Sequence, residues 1–165
     1  MDTSPDSLSS VAKPVIYELI TRIVYRGVMV KIVQTGRTLE QAAANLANGT
    51  SGSNHSKHVP RKLRGVVFAP FLAADLDKVD AIDLCPYSVW QLHGDDKLQW
   101  NVDDPAWAII MEEAEKLDMR SGRRWRKPHD PGHCEMILTP GDRANVTEER
   151  TRRILFDAHG RLVIA

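Results

Sequence analysis

The chain is short of several things that particular protein classes require. Its 165 residues include two cysteines, Cys85 and Cys134, too few for a disulfide framework. Lysine and arginine number 22, and aspartate and glutamate also number 22. No net field therefore draws the whole chain to nucleic acid or to an anionic membrane. No apolar run approaches the length of a membrane-spanning helix, and no internal repeat is visible. The first residues, Met1-Asp2-Thr3-Ser4-Pro5-Asp6, are acidic and polar, which argues against a signal peptide and predicts synthesis in the cytoplasm.

What is present suits a soluble globular protein, with 42% apolar and 27% charged residues. At this length one domain is expected, large enough to bury a core without disulfides or a structural metal.

Ser4-Pro5 reads as a helix start. The apolar spacing of Leu8, Val11, Val15, Ile16, Leu19, Ile20, Ile23 and Val24 predicts a helix with one face on a core. Pro14 predicts a kink or two successive helices, and Gly27 ends the segment. Val28 to Val33 reads as a strand. Thr38 with Gln41 has the spacing of a capping box and opens a helix from Leu39 to Asn48, closed by Gly49. A small, polar loop from Thr50 to Lys57 delivers His58. Val66-Val67-Phe68 reads as a strand and Ala74 to Asp77 as a turn. Val79 to Leu84 reads as a buried strand stopped by Pro86, followed by a Trp-containing loop to Asp103. Asp104-Pro105 starts a helix carrying Trp107, Ile110, Met111, Ala114 and Leu117 on one face, ended by Ser121-Gly122. His133 to Leu138 reads as a strand. After Pro140 the tail offers a short charged helix near 147–153 and a hairpin-like pair at 154–164.

The most informative stretch is Arg124-Trp125-Arg126-Lys127-Pro128-His129-Asp130-Pro131-Gly132-His133-Cys134-Glu135-Met136. It places an Asp and a His three apart. A proton-transferring carboxylate beside a metal-binding imidazole is what a zinc hydrolase needs. Catalytic zinc takes three protein ligands and keeps one position for water. His58, Asp83 and His133 are the candidate ligands, with Asp75, Asp77 and Asp80 as alternatives for the carboxylate. Asp130 is the candidate proton carrier, and Arg37 the candidate clamp for a carboxylate or an oxyanion. His129 and His133 have zinc-finger spacing, but no cysteine pair lies upstream. Along a strand, Cys134 points away from His133 and Cys85 shares the face of Asp83. That disfavours a disulfide and makes both buried thiols. Glu135 returns to the face of His133, where it could support a ligand.

Several short blocks, in order, carry a family resemblance: Gly36-Arg37-Thr38 with Gln41, Ser56-Lys57-His58, Ala81-Ile82-Asp83-Leu84, Gly122-Arg123-Arg124-Trp125 and Asp130-Pro131-Gly132-His133. Together they resemble the zinc D,D- and L,D-peptidases, most of all the phage L-alanyl-D-glutamate endopeptidase endolysins, with the D-alanyl-D-alanine carboxypeptidases as relatives. The resemblance implies an α+β fold of the hedgehog/D-Ala-D-Ala peptidase type: a small antiparallel sheet, helices packed on one side, and zinc in a cleft. It implies Zn2+ held by His58, Asp83 and His133, catalysis by Asp130 and Arg37, and substrate contacts from Gln41, Ser56 and Trp125. The substrate implied is bacterial peptidoglycan, cut at the L-alanyl-D-glutamate bond, with D-alanyl-D-alanine cleavage as the runner-up. A monomer is expected, with no nucleic acid bound and no stable membrane insertion. A holin-type partner would give it access to the wall after membrane permeabilisation.

Two departures stand out. The first His and the Asp of the family lie about seven apart, whereas His58 and Asp83 lie 25 apart. Residues 1–140 are therefore expected to form the peptidase domain with an insertion at about 61–78, and 141–165 a C-terminal extension packed on it. Arg123-Arg124 also stands where the family often has Gly-Asp. The rival class is a nucleic-acid module gripping phosphates through the basic segments at Arg61–Arg64 and Arg120–Lys127.

Overall fold

The computed structural model describes residues 1–51, 56–64, 74–90, 97–127 and 129–137. The expected strand at 66–68, His55 and everything after Pro140 lie outside these residues. Ser4 caps a single 3-10 turn at Pro5–Ser7, and Leu8 then bridges to Val79. Helix α1 follows at Ala12–Tyr25, so the expected kink at Pro14 is absent. Pro14 sits in the first turn, where its missing N–H has no intrahelical acceptor to lose. Ser9 Oγ accepts from Ala12 N at 3.1 Å and covers that helix start.

Strand β1 is Val30–Gln34 and helix α2 is Leu39–Ala47. The Thr38–Gln41 capping box is formed in both directions. Strand β2 is Ala81–Pro86 and helix α3 is Ala106–Lys116. Two short strands complete the sheet, β3 at Arg120–Ser121 and β4 at His133–Glu135. The strand order is β1-β2-β4-β3, antiparallel throughout.

Helices α1, α2 and α3 end in the same way. The N–H two residues past the cap bonds back to a carbonyl of the last turn: Val28 to Ile23, Thr50 to Asn45 and Met119 to Ala114. Gly27 and Gly49 take the positive φ that this ending needs. In α3 the position is filled by Asp118, at φ 56°. The third helix therefore stops before Ser121-Gly122, and the residues expected to end it form β3 and the turn after it.

The pleat of β2 divides the molecule. Ile82 and Leu84 join a buried core with Ile16, Leu19 and Ile23 of α1 and Trp107, Ile110 and Ala114 of α3. Asp83, between them in sequence, faces the other way. Cys85 and Cys134 are buried free thiols. The fold is thus α+β, and no helix among the described residues is long and apolar enough to cross a membrane.

Segment 61–78 is tied down at its base. Arg61–Arg64 forms a 3-10 turn. Backbone bonds run from Arg61 N to Lys78 O, Lys62 N to Leu76 O and Asp80 N to Lys57 O. Arg61 is 2% exposed and Asp80 fully buried. Arg61 Nε donates to Asp80 Oδ2 at 2.8 Å and its Nη2 to Oδ1 at 2.5 Å, and Arg64 Nη2 also donates to Oδ2 at 2.6 Å. Ser9 donates to the same carboxylate at 2.7 Å. Asp75 accepts from Ser10 and lies 3.7 Å from Arg61, and Asp77 pairs with Lys62. The three alternative acids are thereby all engaged in holding this segment. So are Arg61, Lys62 and Arg64, the first of the two basic segments that a phosphate-gripping module would use.

Candidate active site

Register brings the site together. Asp83 on β2 is directly opposite His133 on β4, and Gln34 on β1 is opposite Asp83 from the other side. His58 arrives from the loop before the segment at 61–78. Its backbone carbonyl accepts from Arg37 N at 2.8 Å, and its ring Nδ1 donates to Thr35 O at 2.7 Å. That bond fixes the tautomer and leaves Nε2 to face inward. His58 Nε2 lies 3.0 Å from Asp83 Oδ1 and 3.1 Å from His133 Nδ1. His133 Nδ1 lies 2.9 Å from the same Asp83 oxygen. The other nitrogen of His133, Nε2, donates to Glu135 Oε2 at 2.9 Å. Glu135 is itself buried and paired with Arg120.

These three donors fit a zinc ion. With both outer nitrogens donating elsewhere, Nε2 of His58, Nδ1 of His133 and an Asp83 oxygen converge, and a metal ion there would take the place of the proton that His133 otherwise holds. Tetrahedral zinc, with ligand bonds of roughly 2.0–2.1 Å, sets its donors about 3.3 Å apart, close to the spacings here. Electrostatics agree, because the site holds positive charge. Burial alone would raise the Asp83 pKa, but the two histidines keep it far below the usual carboxylate range. Burial would discharge His133, but its bonds to Asp83 and Glu135 hold its pKa up at about 10. Glu135 is lowered to about 2 by His133, Lys57 and Arg120, against the effect of burial.

Asp130 behaves differently. Burial pushes its pKa up and the negative charge of Asp83 adds to the rise, against the attraction of His133, His58 and Arg37. It is placed by the turn that precedes β4: His133 N bonds to Asp130 O, and Asp130 N bonds to Gly122 O, each at 3.3 Å. Gly122 is needed there. A Cβ on it would press on the Asp130 carbonyl oxygen and meet His133 Cβ at 3.0 Å. Asp83 and Asp130 line one cleft of about 560 Å³, together with Gln34, Trp100 and Trp107.

Arg37 Nη2 donates to Gln34 at 2.5 Å and lies 4.0 Å from Asp83 Oδ2. Its Nε is buried with no hydrogen-bond partner among the described residues. Trp125 packs its ring 4.9 Å from that of His133, with the Arg120 guanidinium 5.3 Å from its centroid. Gln41 and Arg37 line a separate hollow of about 300 Å³, and Gln41 Oε1 is already used in the capping box. Ser56 Oγ accepts weakly from His58 N at 3.4 Å, a contact within the loop. His129 is exposed and bonds to Arg123 O, away from the cluster. Arg124 pairs with Glu115 of α3.

Thr35 carries no assignment in the sequence, and Gly122 only those of ending the third helix and opening a family block. Thr35 acts through a backbone carbonyl, which every residue possesses, and Gly122 through a missing Cβ. Only the glycine had any sequence signal, its place in the Gly-x-x-Trp block.

The fold defines the broader class. The chain resembles the crystal structure of the L-Ala D-Glu endopeptidase ChiX of Serratia marcescens with a TM-score of 0.52 over 81% of this chain and 83% of that one. At 14% identity this is a likeness of fold. No protein-family model matches the chain. The narrower assignment comes from sequence: the chain is 31% identical over 125 residues to the L-alanyl-D-glutamate peptidase of Escherichia phage T5, covering 64% of this chain and 74% of that protein. The chain belongs to the L-alanyl-D-glutamate peptidase family.

Proposed function

We propose that this chain is a zinc-dependent peptidoglycan peptidase that hydrolyses the L-alanyl-D-glutamate amide bond of the cell-wall stem peptide. The observation that carries the metal-dependent mechanism is the convergence of His58, Asp83 and His133 in the cleft that also holds Asp130. Bound zinc would supply a water of lowered pKa and polarise the scissile carbonyl.

The protein's own groups do the rest. Asp130 accepts the proton of the attacking water and returns it to the leaving amine. Burial and the charge of Asp83 raise its pKa, which makes the carboxylate a better base for that first proton. Arg37, whose Nη2 lies 4.0 Å from Asp83 Oδ2, would stabilise the charge that develops on the carbonyl oxygen. Gln34 holds the Arg37 guanidinium in place. Trp125 covers the outer side of His133, restricts water there and offers an apolar surface to the substrate. Ser56 and Gln41 would be further substrate contacts, Gln41 from the neighbouring hollow that it lines with Arg37. The enzyme acts as a monomer on the wall. When made in the cytoplasm it requires a holin-type partner to reach its substrate.

The test is zinc content of purified protein, by elemental analysis, for wild type and His133→Ala, with turbidity loss of purified peptidoglycan followed in parallel. The expected result is one zinc per chain, lost with lysis in the variant. A wild type that takes up no zinc and clears no peptidoglycan after zinc is restored would overturn the reading. Release of D-alanine without new glutamyl amino termini would redirect it to D-alanyl-D-alanine cleavage.

A further inference from the structure

Strand β3 is two residues long, yet it carries a cation that touches two parts of the site. Arg120 is directly opposite Glu135 across β3 and β4, and its Nη2 forms an ion pair with Glu135 Oε1. The other oxygen of that carboxylate accepts from His133 Nε2 at 2.9 Å. The chain then turns through Gly122–Arg124, capped by Ser121 Oγ, and delivers Trp125. The centroid of the Trp125 ring lies 5.3 Å from the Arg120 guanidinium carbon and 4.9 Å from the centre of the His133 ring. The contacts close a circuit, from Arg120 to Glu135, to His133, to Trp125 and back to Arg120. The Nε of Arg120 is buried with no hydrogen-bond partner among the described residues, so the ion pair and the ring set the plane of the guanidinium. The next two cations along the chain are engaged elsewhere, Arg123 at Val102 O and Arg124 at Glu115.

The two contacts use different properties of one side chain. Glu135 needs a positive charge, which lysine would also supply. The face of an indole is best met by a flat, weakly hydrated cation, which lysine is not. We infer that Arg120 is a positioning residue that joins the Trp125 wall to the metal ligand His133, so that a change at Arg120 is felt in metal binding and in substrate binding together. The substrate half of this inference rests on the peptidase reading above. Trp125, held between Arg120 and His133, has little freedom to swing away. Its surface is therefore in place before substrate arrives, which lowers the cost of ordering it on binding. Lys57 also stands near Glu135, so loss of the Arg120 charge does not leave that buried carboxylate without a cation.

The experiment compares full-length wild type with Arg120→Met, Arg120→Lys, Trp125→Leu and the double variant that combines Arg120→Lys with Trp125→Leu. Zinc affinity is read by competition with a chromophoric chelator, and kcat and KM on a synthetic peptide containing the L-Ala–D-Glu bond. Arg120→Met should weaken zinc binding by about tenfold, the scale on which a ligand's supporting partners act, and should raise KM as well. Arg120→Lys should restore most of the zinc affinity but leave KM raised by about three- to fivefold, the scale of one cation–ring contact. Trp125→Leu should raise KM with zinc affinity close to that of wild type. In the double variant Arg120→Lys should add nothing further to KM, because the contact it would weaken is already gone. Arg120→Lys and the double variant decide the question even where Arg120→Met does not fold. Wild-type zinc affinity in Arg120→Met, or effects of Arg120→Lys and Trp125→Leu on KM that multiply in full, overturns the coupling and leaves the peptidase reading standing. Cleavage of neither this peptide nor peptidoglycan by zinc-loaded wild type overturns both.

Discussion

Nε2 of His133 lies 2.9 Å from Oε2 of Glu135, and this bond decides which way the ring faces. With Nε2–H committed to a carboxylate that Arg120 in turn holds, Nδ1 is left for Asp83, His58 and a metal. Carboxylate partners of this kind orient a ligand and raise its basicity. Glu135→Gln should therefore weaken zinc binding by about 10- to 100-fold, read by competition with a chromophoric chelator, while the far-ultraviolet circular dichroism stays as in wild type. An unchanged zinc affinity would reduce Glu135 to a structural role.

Asp130 is expected to separate binding from chemistry. It is not among the converging donors, so Asp130→Asn should keep its zinc. Loss of a positioned acid/base should lower kcat by about 10² to 10⁴, with KM little changed, in single-substrate kinetics on a synthetic peptide. A variant that loses metal and activity together would instead place Asp130 among the ligands.

Gly122 links the turn before Trp125 to the turn that carries Asp130. Gly122→Ala forces a Cβ against the Asp130 carbonyl and the His133 side chain. The backbone must shift, at a cost of about 1–3 kcal/mol. Thermal unfolding should show a lowered Tm, and activity measured well below that Tm should fall more than folded fraction accounts for. Full activity in a stable variant would show that the two turns move independently.

The carboxylate of Asp80 sets a pH dependence of stability that is separate from catalysis. Burial would raise its pKa, but Arg61, Ser9 and Arg64 together bring it below the ordinary aspartate value. A carboxyl with a depressed folded pKa contributes stability in full above the unfolded value, about 3.9. The contribution drains away as pH falls through the folded value. Urea unfolding between pH 7 and pH 3 should show that loss at the acid end. Asp80→Asn strands the Arg61 charge inside the protein and should cost about 3–5 kcal/mol at neutral pH, with a flatter acid limb. An acid limb identical to wild type would mean that other carboxylates govern it.

Much of this was legible in the sequence because the chemistry sits in short local patterns. The Thr38–Gln41 box, the strand around Asp83 and the alternation of His133, Cys134 and Glu135 each depend on neighbours within a few residues. What escaped notice depends on partners far away or on atoms every residue has. Strand β3 is two residues long and carries Arg120, so it offers no periodicity. It exists because Arg120 and Ser121 pair with Glu135 and Cys134. The end of α3 was misplaced because Asp118 took a conformation expected of glycine. The expected kink at Pro14 failed because the helix starts later than its apolar spacing suggests, after Ser9 has turned away to Asp80. The pairing of Arg61 with Asp80 joins two charges that each look like surface residues in their own neighbourhoods.

That last pairing has a consequence for how this enzyme can vary. Residues 57–62 run back along 76–80, stitched by backbone bonds and locked by a buried ion pair. His58 leaves one side of this clasp and Asp83 the other. The distance between them in space is therefore set below the clasp, not by the number of residues threaded above it. A change of sequence between the two arms of the clasp therefore need not re-align the two ligands.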